Sequence, residues 1–349
     1  MRVIPYANTY GQSLVADKTP EETLLQELGE PYRLYREQWH AANAFAYRPP
    51  FPIHLDVETV YACNLRCVMC PHGDPTHVHP PYKGRSLDTE VLKAVIKGGV
   101  PQGLRAMRFS GLNEPLLYKD LLDVIAYARQ QGILDVFITT NGMLLTEEIS
   151  TGLIQAGLTH LMVSIDAATP DTYAAIRTGG DFDTVARNVE RFLSIRSKMQ
   201  SVTPQVRLSF IKMQGNIHEL DAFVERWKAT VDHLAIVGYL QIVSDQERHQ
   251  GLTLDKGEAP QITNFQCSQP WTRCAIFANG DVFPCCMNWG RKQPVGNIHN
   301  EDLGVIWRSD AVRHIQDISK AGEFRRHPIC AQCVPKRDTF APEPDLAGK

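Results

Sequence analysis

Between Ile53 and Val237 the chain repeats one pattern six times: a short strand-like run, then an amphipathic stretch of helical period. The predicted strands are Ile53–Glu58, Ala106–Phe109, Asp135–Thr139, His160–Ile165, Gln205–Lys212 and His233–Val237. The predicted helices are Asp88–Lys97, Lys119–Gln131, Thr146–Ala156, Pro170–Arg177 with Thr184–Lys198, and Glu219–Ala229. Strands alternating with helices imply a parallel sheet joined by right-handed crossovers.

The strands narrow the choice of sheet. His54, Asp56 and Glu58 alternate with Ile53, Leu55 and Val57, and Ala106, Arg108 and Ser110 with Met107 and Phe109. Met162, Ser164 and Asp166 oppose Leu161, Val163 and Ile165; Arg207 and Ser209 oppose Val206, Leu208 and Phe210. A doubly wound sheet lies under helices on both faces, and its strands read as nearly continuous apolar runs. These strands have one polar face. Six units are too few for a closed eight-fold barrel, so the fold class expected is α/β: a partial (β/α)6 TIM-like barrel, with helices over its apolar face and a polar lumen. The lumen charges have two readings, contact with a ligand or internal ion pairs such as Arg207 with Asp56.

The first strand runs into CNLRCVMC, which spaces Cys63, Cys67 and Cys70 by three residues and then two. Three thiolates can hold three irons of a four-iron cluster and leave the fourth open to a ligand. Zinc is the alternative metal, and it favours four closed ligands from paired knuckles or histidines. His72, His77 and His79 follow at offsets that fit no usual zinc spacing, and PTHVHPPY reads as a surface loop.

With 349 residues, 43% of them hydrophobic and 21% charged, the chain has material for one large domain and a smaller one. A net charge of -3 and a pI near 6.5 give no electrostatic reason to expect nucleic acid or an anionic membrane as partner. The N-terminus lacks the apolar core of a signal peptide, and no run of about 18 apolar residues occurs, so a cytoplasmic location is expected. In that reducing compartment nine cysteines read as metal ligands or redox groups. Residues 1–50, which include LYREQWHAANAFAY, read as a helical extension packed on a barrel of residues 51–245. Beyond residue 246 the alternation stops, and 246–349 reads as a small domain carrying Cys267, Cys274, Cys285, Cys286, Cys330 and Cys333. In it IFANGDVFPCC signals a hairpin at Asn279-Gly280, LGVIWRSDAVRHIQDI a helix, and PICAQC a two-thiol knuckle.

Taken together, these residues resemble the radical S-adenosylmethionine (SAM) superfamily from Phe51 to Cys333. FSGLNEPLL, with Ser110 and Gly111, is similar to the family's Gly-Gly-Glu-Pro segment, which binds the SAM amino group through an acid, here Glu114. Asn113 stands where the family has glycine, and Met69 where many members carry an aromatic residue beside the adenine. TTNG, with Asn141, and SIDA, with Ser164, match segments that approach the ribose and methionine moieties; Arg177 lies where relatives place a carboxylate-binding arginine. The tail resembles the SPASM and twitch extensions, which implies an auxiliary cluster on Cys267, Cys285, Cys330 and Cys333, with Cys285 preferred to Cys286 on the Gly-x-x-x-Pro-Cys pattern. The implied cofactors are SAM and two [4Fe–4S] clusters, one of them SAM-binding. The implied partners are a small-molecule substrate and a reductant such as flavodoxin or ferredoxin.

The resemblance further implies cleavage of SAM to a 5'-deoxyadenosyl radical and hydrogen abstraction from a substrate near Asp56, Glu58, Arg108, Asp166 or Arg207. Dehydrogenation would need an acid-base residue, such as Asp166 or Glu58. Epimerisation would need a thiol, Cys274 or Cys286, although Cys274 also reads as a small buried residue. The substrate expected is a carbohydrate-like or aminocyclitol molecule, with peptide modification as the alternative. A non-catalytic iron–sulfur or zinc interaction protein would have no use for Glu114 and the strand-end segments.

Overall fold

The computed structural model describes residues 1–5, 11–16, 18–77, 79–80, 82–239, 250–254, 265–285 and 293–333. The N-terminal segment is not all helical: strands β1 (Arg2–Pro5) and β2 (Gly11–Val15) pair antiparallel ahead of helices α1 (Pro20–Leu28) and α2 (Glu30–Asn43). GQSLV has no clear alternation of its own, and its strand state comes from a neighbouring strand that offers a free edge. Helix α1 starts on a capping box, in which Thr19 and Glu22 satisfy each other's backbone N–H groups, with Pro20 at the first helical position.

All six predicted barrel strands form, within two residues of their expected ends: β3 (His54–Val57), β4 (Ala106–Phe109), β5 (Asp135–Thr140), β6 (His160–Ser164), β7 (Gln205–Lys212) and β8 (His233–Gly238). They are joined by α3 (Thr89–Gly99), α4 (Leu121–Gln131), α5 (Glu147–Gln155), α6 (Pro170–Ile176) with α7 (Phe182–Lys198), and α8 (Leu220–Trp227). The six strands run parallel in sequence order, without the reversal of a doubly wound sheet. Leu55, Val57, Met107, Phe109, Val136, Ile138, Leu161, Val163, Val206, Leu208 and Phe210 are buried, all of them in one core beneath the helices. The opposite positions Arg108, Phe137, Thr139, Ser164, Arg207 and Ser209 keep partial contact with solvent, which is the lumen anticipated from the alternation.

Among the described residues the sheet does not close, and both edges of the six-stranded unit are extended. Strand β2 adds to β8, from Gly11 against Val237 to Val15 against His233. On the far side β9 (Arg273–Ile276) adds parallel to β3, from His54 against Arg273 to Val57 against Ile276. With strands β10 (Asp281–Phe283) and β11 (Gly296–Asn297) the described residues form an 11-stranded sheet. The cysteine-rich segment therefore continues the barrel sheet and is not set apart from it. Its hairpin turns where expected: Gly280 has φ +84, and a Cβ there would lie 2.4 Å from the His299 ring. The single helix expected over LGVIWRSDAVRHIQDI divides into Leu303–Trp307 and Asp310–Ala321, because the Ser309 side chain accepts from the Val312 N–H and caps a second start.

Helix α2 closes the foot of the lumen. Tyr32, Tyr35 and Ala42 pack with Ile53 and Ala106 at the beginnings of β3 and β4, and the Trp39 ring lies 5.9 Å from that of His54. Trp307 Nε1 donates to the Pro49 carbonyl at 3.0 Å, tying the C-terminal segment to the strand that enters β3. No helix among the described residues is long and apolar enough to cross a membrane.

Candidate active site

The triplet loop leaves the C-terminal end of β3 and lies against the segment that follows α6. The Arg66 N–H donates to the Thr178 carbonyl at 2.8 Å and the Val68 N–H to the Ile176 carbonyl at 3.0 Å, so Cys67 and Arg177 face each other between the two bonds. The loop then turns tightly: a Cβ on Gly73 would lie 2.3 Å from the Cys67 carbonyl oxygen. The three histidines beyond it have partners of their own. A His72 ring nitrogen is 2.8 Å from the Leu112 carbonyl, and the Tyr61 hydroxyl is 3.1 Å from both His77 and His79. Among the described residues no three His, Cys, Asp or Glu side chains converge on a single metal-ion position. A four-iron cluster takes its thiolates at separate irons.

The thiols suit such a cluster. Burial pushes the Cys63 thiol up and the Cys70 thiol up to about 12, and the neighbouring cysteines add to both shifts. The sulfurs interact electrostatically with one another, and an iron core held by them would have to displace these protons. Met69 is buried in the wall beside them, with Leu65, Cys67, Ile176, Met213 and Tyr239.

Glu114 reaches the same region. Its Oε1 accepts from the Thr140 hydroxyl at 2.7 Å and the Leu116 N–H at 3.1 Å, and its Oε2 from the Asn141 N–H at 2.8 Å. Burial pushes its carboxyl up to about 7 despite these donors, the state of a buried acid waiting for a cation. The Asn141 amide donates to Asn64 Oδ1 at 2.8 Å and lies 3.9 Å from Cys63 Sγ. Asn113, one residue before Glu114, has both amide atoms buried without a hydrogen-bond partner. An orphaned amide and an uncompensated acid beside the triplet fit the polar end of SAM.

Glu58 serves the backbone of this region. Its Oε2 accepts from the Leu112 N–H at 2.9 Å, and a Cβ on Gly111 would lie 2.9 Å from that same oxygen. Through that oxygen Glu58 braces the 110–114 loop. Asp166 is likewise engaged: it is fully buried, sits at φ +61, accepts from the Ile211 N–H at 2.7 Å and pairs directly with Arg177. Burial opposes the Arg177 charge, but Asp166 and then Cys67 outweigh it and push the guanidinium pKa further up. Arg177 thus faces Asp166 and Cys67.

Deeper in the lumen, Asp56 lies 2.7 Å from Arg108 Nε, 3.4 Å from His54 Nε2 and 3.6 Å from Arg273 Nη1. Burial would raise its pKa; Arg108 and Arg273 override burial and hold the carboxyl far below its usual range. Internal pairing is therefore the better account of Asp56, with Arg108 and Arg273 as partners where Arg207 was expected. Arg207 stands across β7 and β8 from His233, whose pKa burial and then Arg207 lower to about 3. Cys274 leaves the site altogether: in β9 it aligns with Leu55, faces the main core, and burial pushes its thiol up. A hydrogen donor must reach substrate, so the epimerase role expected for Cys274 is withdrawn. Cys286 lies outside the described residues.

In the C-terminal segment, Cys267, Cys285, Cys330 and Cys333 are each partly buried. The Cys267 N–H donates to the Ser319 carbonyl at 3.3 Å, near the end of helix Asp310–Ala321, and Cys330 and Cys333 are i, i+3 neighbours on helix Pro328–Cys333. Cys285 lies two residues past β10. Sequence reasoning missed Thr140, Asn64 and Arg273. Thr140 and Arg273 had a signal: one precedes Asn141 in TTNG, and RCAI alternates like the lumen strands.

An open (β/α)6 sheet with a three-thiol loop at the C-terminal end of its first barrel strand defines a class of iron–sulfur enzymes that bind a ligand at an incompletely coordinated iron. Comparison with known families specifies the class: residues 57–203 match the radical SAM superfamily, and residues 267–334 match the SPASM iron–sulfur cluster-binding domain. The chain carries a radical SAM domain and a C-terminal SPASM domain, and its cofactors are SAM and two [4Fe–4S] clusters. Among curated relatives it is 27% identical over 187 residues to a probable GTP 3',8-cyclase of Methanococcus maripaludis (54% of this chain, 59% of the relative). It is 32% identical over 180 residues to a GTP 3',8-cyclase of Clostridium botulinum (50% and 52%). The chain thus spans about half the length of the curated relatives it matches. Among solved structures, SuiB of Streptococcus suis bound to its precursor peptide SuiA has a TM-score of 0.62 at 14% identity, over 93% of this chain and 81% of that one. The enzyme anSMEcpe with bound AdoMet has a TM-score of 0.58 at 16% identity, over 85% and 92%. BtrN in complex with AdoMet and 2-DOIA has a TM-score of 0.50 at 17% identity, over 81% and 93%.

Proposed function

We propose that this radical SAM enzyme removes hydrogen from a hydroxylated, carbohydrate-like small molecule, leading to dehydrogenation or epimerisation. The carrying observation is the lumen. Thr139, Ser164 and Ser209 present hydroxyls on adjacent strands, Ser164 in register with Ser209, and Arg108 and Arg207 keep partial solvent contact below them. Short hydroxyls and guanidinium groups suit a ligand rich in oxygen. SAM bound at the cluster supplies the carbon radical that takes the hydrogen atom.

The chain's residues supply the frame for that chemistry. Cys63, Cys67 and Cys70 would hold the SAM-binding cluster; Glu114 and the Asn113 amide would take the polar end of SAM, with Ser110, Gly111, Asn141, Ser164 and Met69 around it. Cys267, Cys285, Cys330 and Cys333 would hold the auxiliary cluster as an electron outlet, since a fully thiolate-ligated cluster has no open position. An external carrier such as flavodoxin or ferredoxin would supply the reducing electron. A second reading, cyclisation of a nucleotide, has the cyclase relatives in its favour.

Anaerobic reconstitution, followed by SAM, dithionite and separate panels of sugars or aminocyclitols, GTP and short peptides, tests the reading. A sugar or aminocyclitol that stimulates 5'-deoxyadenosine release and becomes two hydrogens lighter, or inverts a carbon with solvent deuterium uptake, supports it. Stimulation and product from GTP alone, or from peptides alone, would replace it.

A further inference from the structure

Arg177 holds a position that SAM binding alone does not explain. The two backbone bonds from Arg66 and Val68 press it against Cys67, and its Nη1 lies 3.6 Å from Cys67 Sγ. Its Nη2 pairs with Asp166, while its Nε is buried without a hydrogen-bond partner. Asp166 is fixed in turn by a left-handed backbone at φ +61, a conformation uncommon for a non-glycine residue. Its Oδ1 accepts from the Ile211 N–H at 2.7 Å, and its carbonyl accepts from the Asn216 side-chain amide at 2.9 Å. Asn216 is itself fully buried, and its Oδ1 accepts from the Met213 N–H at 2.8 Å. Strain at the end of β6 and the loop after β7 are thus both used to aim one carboxylate at one guanidinium.

We propose that Arg177 is a tuning residue for the SAM-binding cluster, donating a charge-assisted hydrogen bond to the Cys67 sulfur, and that Asp166 is the positioning residue that holds it there. One-electron reduction adds a negative charge to the cluster. A buried cation bonded to a ligand sulfur favours the reduced form, because hydrogen bonds to the sulfurs and the local charge set cluster potentials. Asp166 opposes part of that field while fixing its source. The pair therefore sets how readily the cluster accepts the electron that starts turnover, whichever substrate is used.

The test is an EPR-monitored redox titration of the reconstituted full chain without SAM, so that contacts to the cofactor make no contribution. Arg177→Met is expected to lower the ratio of reduced to oxidised SAM-binding cluster about tenfold at a fixed potential, a shift of about 59 mV for a one-electron couple. Arg177→Lys, which keeps the charge, is expected to restore part of the shift. Asp166→Asn, which keeps the shape and removes the opposing charge, is expected to move the ratio the other way. If Arg177→Met fails to load its cluster, the lysine and asparagine variants still decide the matter by their opposite signs. Unchanged ratios in all loaded variants, with weaker SAM binding in the Arg177 variants, would make Arg177 a cofactor ligand only and overturn the proposal. Shifts of the same sign in the lysine and asparagine variants would overturn it as well. The substrate reading has no part in this measurement, so the two stand or fall separately.

Discussion

Glu114 is the residue at which burial and charge meet beside the proposed SAM site. Its carboxyl lies at about 7 against an ordinary value of 4.5, so between those pH values the folded chain keeps a proton that the unfolded chain has released. Stability of the cofactor-free protein is therefore expected to fall as pH rises from 4.5 to about 7 and to level off above, by up to about 3 kcal/mol. Urea denaturation at a series of pH values checks this, and Glu114→Gln should flatten the fall while weakening SAM binding. A slope as steep in the variant as in the parent would assign the pH dependence to another group. The chemical identity of this residue was plain in FSGLNEPLL; its state was not, because burial and the two donors from Thr140 and Asn141 at the end of β5 are properties of the fold. The same holds for Asp166, whose type suggested an acid or base and whose position makes it the partner of Arg177.

At the scale of elements, the strand alternation carried most of the information. Period-2 patterning marked β3, β4, β6 and β7 and which side of each meets the lumen, since a parallel strand with one polar face has few other uses. It could not reveal β2, whose strand state depends on β8, or the division of the late helix at Ser309. Two elements offer direct tests. Gly111→Ala places a Cβ within 2.9 Å of Glu58 and must displace the 110–114 loop; SAM affinity is expected to fall at least tenfold while iron content at the triplet stays constant. Equal loss of both would mean that the loop supports the cluster as well. Tyr32→Ala removes a fully buried ring from the α2 plug, and equilibrium denaturation is expected to show a loss of about 3 kcal/mol. A cost under 1 kcal/mol would mean that the plug is peripheral to the fold.

For the molecule as a whole, the count of iron is the direct reading of its two thiol sets. Reconstituted protein is expected to hold about eight irons per chain, and Cys285→Ala about four, with the SAM-binding cluster still reducible. Full iron content in Cys285→Ala would return the ligand role to Cys286. Both thiol sets were legible as motifs. That their domains share one sheet was not, because a strand as short as RCAI acquires its parallel partner only in the fold.

The pairing of β9 with β3 bears on how such a protein could have been assembled. Family boundaries divide the chain into a catalytic segment and an auxiliary one, as though either could be exchanged for a homologue. Yet Arg273, which belongs to the auxiliary segment, joins Arg108 in pairing with Asp56, one residue ahead of the catalytic segment, and the backbone of β9 pairs with β3 just before the cluster loop. A graft that discards residues 265–285 would remove a counter-ion from the lumen and expose the strand that presents the catalytic cysteines. A replacement segment has to bring its own strand to pair with β3 and its own cation to face Asp56.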